Sequence, residues 1–361
     1  MSKKIRVLIT GAGGGNVGIQ VMDALKLAKN SYYIVTTNVE AQKTGLYEGD
    51  IGYLVPPASH IDYIPKLLKI AKKEGIQVII SGSEPEMMVM SKNRTAFEKK
   101  DILVLINSEI VIDTCQDKYQ TMQFLEENKF LYPKFTVLKK NTLPLGFSFP
   151  VVVKPSKGGG GSKNVFIARN TKELIFYRQL FAQQNLIMLI QEYIGTADEE
   201  YTVGVLTDFK GNLIESIALK RIVSGTLSKL IELKDLPPRQ NQSLVLSSGI
   251  SQGFVDDYYD VRKYCEKIAQ QLHSTGPLNI QCRKTKQGIY TMEINPRFSG
   301  TTSIRALLGF NEPDILIRKN LLGEKINQVK YKKGLVLREF RMKYIDFNQL
   351  KKINKQKYLI N

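Results

Sequence analysis

Two segments far apart in the chain combine residue types that packing alone explains poorly. Val151 to Ser162 reads V-V-V-K-P-S-K-G-G-G-G-S. Three β-branched residues predict a buried strand, Lys154 sits on it and Pro155 ends it. Gly158, Gly159, Gly160 and Gly161 then offer backbone N–H groups with no Cβ to keep a polyphosphate away, flanked by Lys157 and Ser162. Lys154 supplies positive charge beside them. The lysine precedes the glycines and lies on a strand, so this is not a P-loop, and a flexible hairpin tip is the other reading of such a run.

The second segment is I-Y-T-M-E-I-N-P-R, Ile289 to Arg297. Alternation along a strand puts Glu293, Asn295 and Arg297 on one face and Met292 and Ile294 on the other. A carboxylate, an amide oxygen and a guanidinium in a row each need a partner if buried. Hard oxygen donors beside an arginine suit Mg²⁺ held against phosphate, because magnesium takes one or two protein oxygens and completes its octahedron with phosphate and water. The preceding strand L-N-I-Q-C-R, joined through a hairpin at Lys284 to Gly288, brings Gln281 opposite Glu293 as a third oxygen. An exposed polar strand face with a surface ion pair is the plainer alternative.

With these two segments goes an ordered set of motifs: D-K-Y-Q-T at Asp117, V-V-V-K-P, the glycine loop, Q-E-Y-I at Gln191, D-E-E-Y at Asp198, N-I-Q at Asn279 and M-E-I-N-P-R at Met292. In that order they resemble the ATP-grasp superfamily, and within it the half-repeat of the carbamoyl phosphate synthetase large subunit and its free-standing relatives. The likeness runs from about Ile5 to about Gly323. It implies that Lys118 and Lys154 contact ATP phosphates under the glycine loop. Glu192, Tyr193 and Ile194 would read the adenine edge and Glu200 would hold the ribose. Gln281, Glu293 and Asn295 would coordinate Mg²⁺, with Mn²⁺ as the alternative, and Arg297 would face the transferred phosphoryl group. Read alone, Lys118 is an ordinary helix lysine, and Glu192 and the Asp198–Glu200 acids could face water. Many members carry a carboxylate where this chain has Gln281, so the number of bound Mg²⁺ ions stays open.

The implied chemistry is ADP-forming ligation of a small-molecule carboxylate to an amine through an acyl phosphate, with Arg297 and Lys154 neutralising the phosphoryl group in flight. Carboxylate recognition is expected from Arg221 and from the turn F-S-G-T-T-S-I-R, Phe298 to Arg305. For Arg221 a strand-face ion pair is an equal alternative. A carbamoyl-phosphate type of phosphoryl transfer is the second reading. It is disfavoured by a single ATP-grasp unit with no glutaminase.

Elements that could position these residues follow from the hydrophobic pattern. Residues 1 to 115 alternate strand and helix and predict an α/β, Rossmann-like parallel sheet. A lid of helix and antiparallel strands is expected over 116–190, the metal-bearing half over 191–330 and a basic extension over 331–361. The first turn contains G-x-G-x-x-G from Gly13 to Gly18, so a nucleotide- or dinucleotide-binding module without ligase activity is a third reading. Thr37, Asn38 and Val39 stand where a ribose-binding acid would be needed. Glu84 and Glu86, in S-G-S-E-P-E, follow a strand at the sheet's carboxyl edge and are candidate substrate contacts.

Composition narrows the field further. The 361 residues include 43% hydrophobic and 24% charged side chains, and no apolar run approaches the length of a bilayer span. Isolated Cys115, Cys265 and Cys282 with only His60 and His273 argue against a zinc site, a disulfide framework and Ser-His or Cys-His catalysis. The net charge of +18 comes from scattered lysines, so neither nucleic acid nor membrane is the expected partner. A cytoplasmic location is the default expectation, and homodimers are frequent among the proteins resembled.

Overall fold

The computed structural model describes residues 4–14, 17–138, 143–156, 164–234, 236, 243–339 and 342–355. Its first sheet is parallel, with β1 (Ile5–Ile9), β2 (Tyr32–Asn38), β3 (Ile51–Leu54), β4 (Val78–Ile80) and β5 (Leu103–Val104) in the order β3-β2-β1-β4-β5. The near-continuous apolar run I-R-V-L-I suits a strand covered on both faces. Ile5, Val7 and Ile9 join a core with the helix Val17–Lys26, while Leu8 joins a second core with the helices Tyr63–Glu74 and Glu84–Lys92. The first core also takes in Phe298, Ile304, Phe310 and Ile315 to Ile317. The parallel sheet is thereby packed onto the helices that follow the last metal-candidate residues.

A four-stranded antiparallel sheet holds the lysine strand. It comprises β6 (Phe135–Val137), β7 (Val151–Pro155), β8 (Phe166–Ala168) and β9 (Met188–Glu192), ordered β6-β9-β7-β8. Leu174 and Phe181 of the helix Thr171–Gln183 cover one face. Side-chain alternation in β7 gives Val151 and Val153 to that apolar core and turns Val152 and Lys154 to the other side.

The larger sheet contains β10 (Glu200–Thr207), β11 (Leu213–Arg221), β14 (Gly253–Asp256), β15 (Pro277–Thr285), β16 (Gly288–Asn295) and β17 (Gly334–Val336), in the order β16-β15-β10-β11-β14-β17. A separate hairpin pairs β12 (Lys229–Lys234) with β13 (Ser243–Ser247). One face of the larger sheet buries Val203, Val205, Ile280 and Ile294 against the helix Tyr259–Gln271. Met122 and Leu125 of the helix Lys118–Glu127 belong to the same core. The architecture is the expected α/β arrangement, a parallel N-terminal sheet followed by antiparallel sheets.

Among the described residues no helix is long and apolar enough to cross a membrane.

Candidate functional site

The small and large sheets face each other across a cleft whose lining includes Lys118, Lys154, Gln191, Tyr193, Gln281 and Glu293. Lys154 enters it from β7 with only 6% of its surface exposed. Its Nζ donates to Gln191 Oε1 at 2.8 Å. Burial, and then the charge of Lys118, push the ammonium pKa down to about 8, against a smaller opposing pull from Glu293. Lys118 is aimed at the cleft by the start of its helix. Asp117 caps that helix by accepting from Tyr119 N–H and from Ser156 Oγ, each at 2.9 Å, and Lys118 N–H donates to Ser156 O. The D-K segment is thus tied to the end of the Lys154 strand. Two cations line one wall of the cleft.

The next wall is a network around Glu200. This carboxylate accepts from Arg221 Nη1 at 2.6 Å, from Arg283 Nη2 at 3.1 Å and from Ser247 Oγ at 2.5 Å. Burial opposes its ionisation, but Arg221, Arg283 and Ser247 outweigh it and hold Glu200 below the ordinary carboxylate range. Arg283 also donates to Ile194 O at 2.8 Å and lies over the Tyr193 ring. Tyr193 Oη in turn accepts from Val245 N–H and donates to Val245 O. Tyr193 and Ile194 therefore border the cleft, clamped to β13 and β15. Glu192 does not line it, and its N–H is committed to Lys134 O.

Arg283 escaped the sequence reading. Its only signal was the i+2 spacing from Gln281, which puts both on one strand face. Ser247, on a hairpin without a motif, offered none.

The third wall is the β15–β16 ladder. Gln281 pairs with Glu293 in register, as the hairpin reading requires, and the pairing then shifts so that Cys282 faces Thr291. Met292 is the extra residue of this bulge, and it lines the cleft beside Glu293 and Gln281. Its assignment to the core face with Ile294 is corrected accordingly. β16 ends at Asn295, and Arg297 stands in the turn beyond it, its N–H bonded to Asn295 O. Arg297 Nη2 donates to Asn295 Oδ1 at 3.0 Å and to Glu84 Oε1 at 2.7 Å, and Nη1 donates to Phe298 O. Gln281 and Glu293 line the cleft, and their neutral and anionic oxygens fit a magnesium ion sharing its shell with phosphates. Asn295 and Arg297 are not among its lining residues, and Asn295 Oδ1 is taken by Arg297. Among the described residues no cluster of three or more His, Cys, Asp or Glu offers a competing site.

Other candidates lie elsewhere. Lys157, Gly158 to Gly161 and Ser162 fall outside the described residues, as do Gly15 and Asn16 of the first glycine turn. Arg221 is 3% exposed and engaged with Glu200, Ser247 Oγ, Ser248 O and Ile250 O, so of its two readings the geometry shows the ion pair. Arg305 is not a ligand-facing arginine. It is 2% exposed, pairs with Glu312 at 2.9 Å and donates to Asn279 Oδ1 at 2.6 Å. Glu86 is buried beneath the first glycine turn, accepting from Thr10 Oγ1, Ser83 Oγ and the Gly11 N–H. A pyrophosphate approaching that amide would meet a carboxylate already bonded to it.

Comparison with known proteins gives a consistent picture. Three family models match: "ATP-grasp in the biosynthetic pathway with Ter operon" over residues 184–342, "RimK-like ATP-grasp domain" over 115–208 and "PylC-like, N-terminal domain" over 7–105. The carbamoyl phosphate synthase large chain of Thermoanaerobacter sp. (strain X514) is 24% identical over 352 residues, covering 91% of this chain but 30% of its own length. The chain thus spans less than a third of that relative. Among solved structures, a biotin carboxylase–β-γ-ATP complex from Campylobacter jejuni superposes with a TM-score of 0.64 at 18% identity, covering 91% of this chain and 74% of the other. D-alanine–D-alanine ligase from Bacillus anthracis, complexed with ATP, gives a TM-score of 0.56 at 18% identity, covering 89% and 98%.

Proposed function

We propose that this ATP-grasp protein, a relative of the half-repeat of the carbamoyl phosphate synthase large chain, joins a small-molecule carboxylate to an amine with cleavage of ATP to ADP. The observation that carries the reading is the convergence, in one cleft, of Lys118 and Lys154 with Gln281 and Glu293. Two cations facing a hard-oxygen donor set suit a magnesium nucleotide. Solved structures of this fold hold MgADP in one case and ATP in another.

In this reading the adenosine lies against Tyr193 and Ile194 with its ribose toward Glu200. The phosphates run toward Lys154 and Lys118. Gln281, Glu293 and Asn295 would hold Mg²⁺, which when bound would supply positive charge to the phosphates. A carboxylate oxygen of the acid attacks the γ-phosphorus, the bond to the β-bridging oxygen breaks, and ADP leaves with that electron pair. The amine nitrogen then attacks the acyl carbon and inorganic phosphate departs as the nitrogen gives up a proton. Lys154 and Arg297 neutralise charge on the moving phosphoryl group, so no protein nucleophile is required. Arg221 acts indirectly here, by fixing Glu200.

The test is ADP release from MgATP across a grid of carboxylates and amines, run beside Lys154→Ala and Glu293→Ala. Release that needs one particular acid–amine pair and disappears in both variants is the expected result. Failure of the wild-type protein to bind MgATP would overturn the proposal.

A further inference from the structure

Arg297, the residue proposed to face the phosphoryl group, is not held by its own sheet alone. Its shortest ionic contact is Glu84 at 2.7 Å, which comes from the parallel sheet's side of the molecule. Glu84 is the first residue of the helix Glu84–Lys92, directly after the loop that follows β4. Both side chains are largely but not wholly enclosed, at 17% and 21% exposure. Arg297 Nε is buried and, among the described residues, meets no acceptor. A buried N–H without a partner is costly, so the described residues leave the hydrogen bonding of this guanidinium incomplete.

We propose that Glu84 is an exchangeable counter-ion of Arg297, displaced when the anionic group of the second substrate, a carboxylate or the phosphate it becomes, takes the guanidinium. This rests on the ligase reading through the role given to Arg297. With Glu84 in place the arginine is neutralised and cannot stabilise phosphoryl transfer to water. With the acid bound, Arg297 is recruited to the reacting group. The pair therefore couples arrival of the acid to activation of the phosphoryl site. Glu84 is a positioning residue, acting through Arg297.

Inorganic phosphate, the product anion, is the probe. Its affinity is measured calorimetrically with and without saturating MgADP, on wild type, Glu84→Gln, Arg297→Gln and the double variant. The Glu84→Gln change keeps an amide oxygen to accept from Arg297 and removes only the competing charge. Phosphate is expected to bind Glu84→Gln about tenfold more tightly than wild type. It should bind Arg297→Gln far more weakly, with no gain on adding the Glu84 change. Unchanged or weaker phosphate binding in Glu84→Gln, with its melting temperature preserved, would overturn the exchange and leave Glu84 a fixed brace. Absence of MgADP binding in the wild-type protein would instead strike the ligase reading, while the phosphate titrations without nucleotide still decide the exchange.

Discussion

Arg221 Nη1 lies 2.6 Å from Glu200 Oε1, with the two side chains 1% and 7% exposed, and Arg283 meets the other carboxylate oxygen. One acid thus compensates two buried guanidinium groups. Removing it leaves both without their countercharge, a situation that costs far more than losing an exposed ion pair. Glu200→Ala should therefore destabilise the fold by about 3–5 kcal/mol in urea denaturation. Arg221→Met leaves Glu200 its bond to Arg283, and a smaller loss is expected. If Glu200 holds a ribose, Arg221→Met should also weaken ATP binding more than inorganic triphosphate binding. Equal losses for the two ligands would count against that contact.

The depressed pKa of Lys154 has a signed consequence. Its folded value of about 8 lies below the ordinary 10.5, so between these limits the folded state binds fewer protons than the unfolded chain. The free protein's stability from this group therefore rises with pH across that window. A bound polyphosphate favours the ammonium and draws the proton back, so nucleotide affinity should fall as the pH climbs past 8. Calorimetry in two buffers of different ionisation enthalpy should show proton uptake on ATP binding near pH 9 and almost none near pH 6.5. Lys154→Met should abolish the difference.

Gln281 faces Glu293 across the ladder, so the site has one carboxylate where a second could stand. Gln281→Glu should tighten Mg²⁺ by about tenfold, read as the Mg²⁺ concentration giving half-maximal ADP binding. An unchanged Mg²⁺ requirement would place the ion elsewhere.

How much of this could be read from the chain depends on how local each signal is. Lys154 and Glu293 were legible because strand alternation and an adjacent run of unusual residues mark them within a few positions. The Gln281–Glu293 pairing was legible because a short turn fixes hairpin register. Met292 was misplaced because the bulge that turns it into the cleft leaves no trace in the residue pattern. Arg305 looked like a turn arginine, yet Glu312 on the next helix and Asn279 on β15 enclose it. Gly204 makes room for it, since a Cβ there would collide with the guanidinium. Contacts of that kind are decided by tertiary packing. Neither the spacing of Arg305 and Glu312 nor any local pattern announces them.

Gly11 and Glu86 give the last prediction, which bears on the dinucleotide alternative. Gly11 has φ +58°, and a Cβ on it would overlap the Glu86 carboxylate, so Gly11→Ala meets both backbone strain and a clash. A loss of about 1–3 kcal/mol is expected in denaturant unfolding. Burial raises the Glu86 pKa above its ordinary 4.5, despite the hydrogen bonds from Ser83, Thr10 and Gly11. The folded state thus holds this proton more tightly than the unfolded chain, and stability from the group declines as the pH rises above 4.5. Glu86→Gln retains an acceptor for the same donors without the ionisation, so its melting temperature should exceed wild type at pH 8 and approach it near pH 4. Because the side chain at position 86 already occupies the turn's amide in both, neither protein should bind NADH in a fluorescence titration. Micromolar NADH binding by the wild-type protein would show that Glu86 yields to a pyrophosphate and would restore the dinucleotide reading.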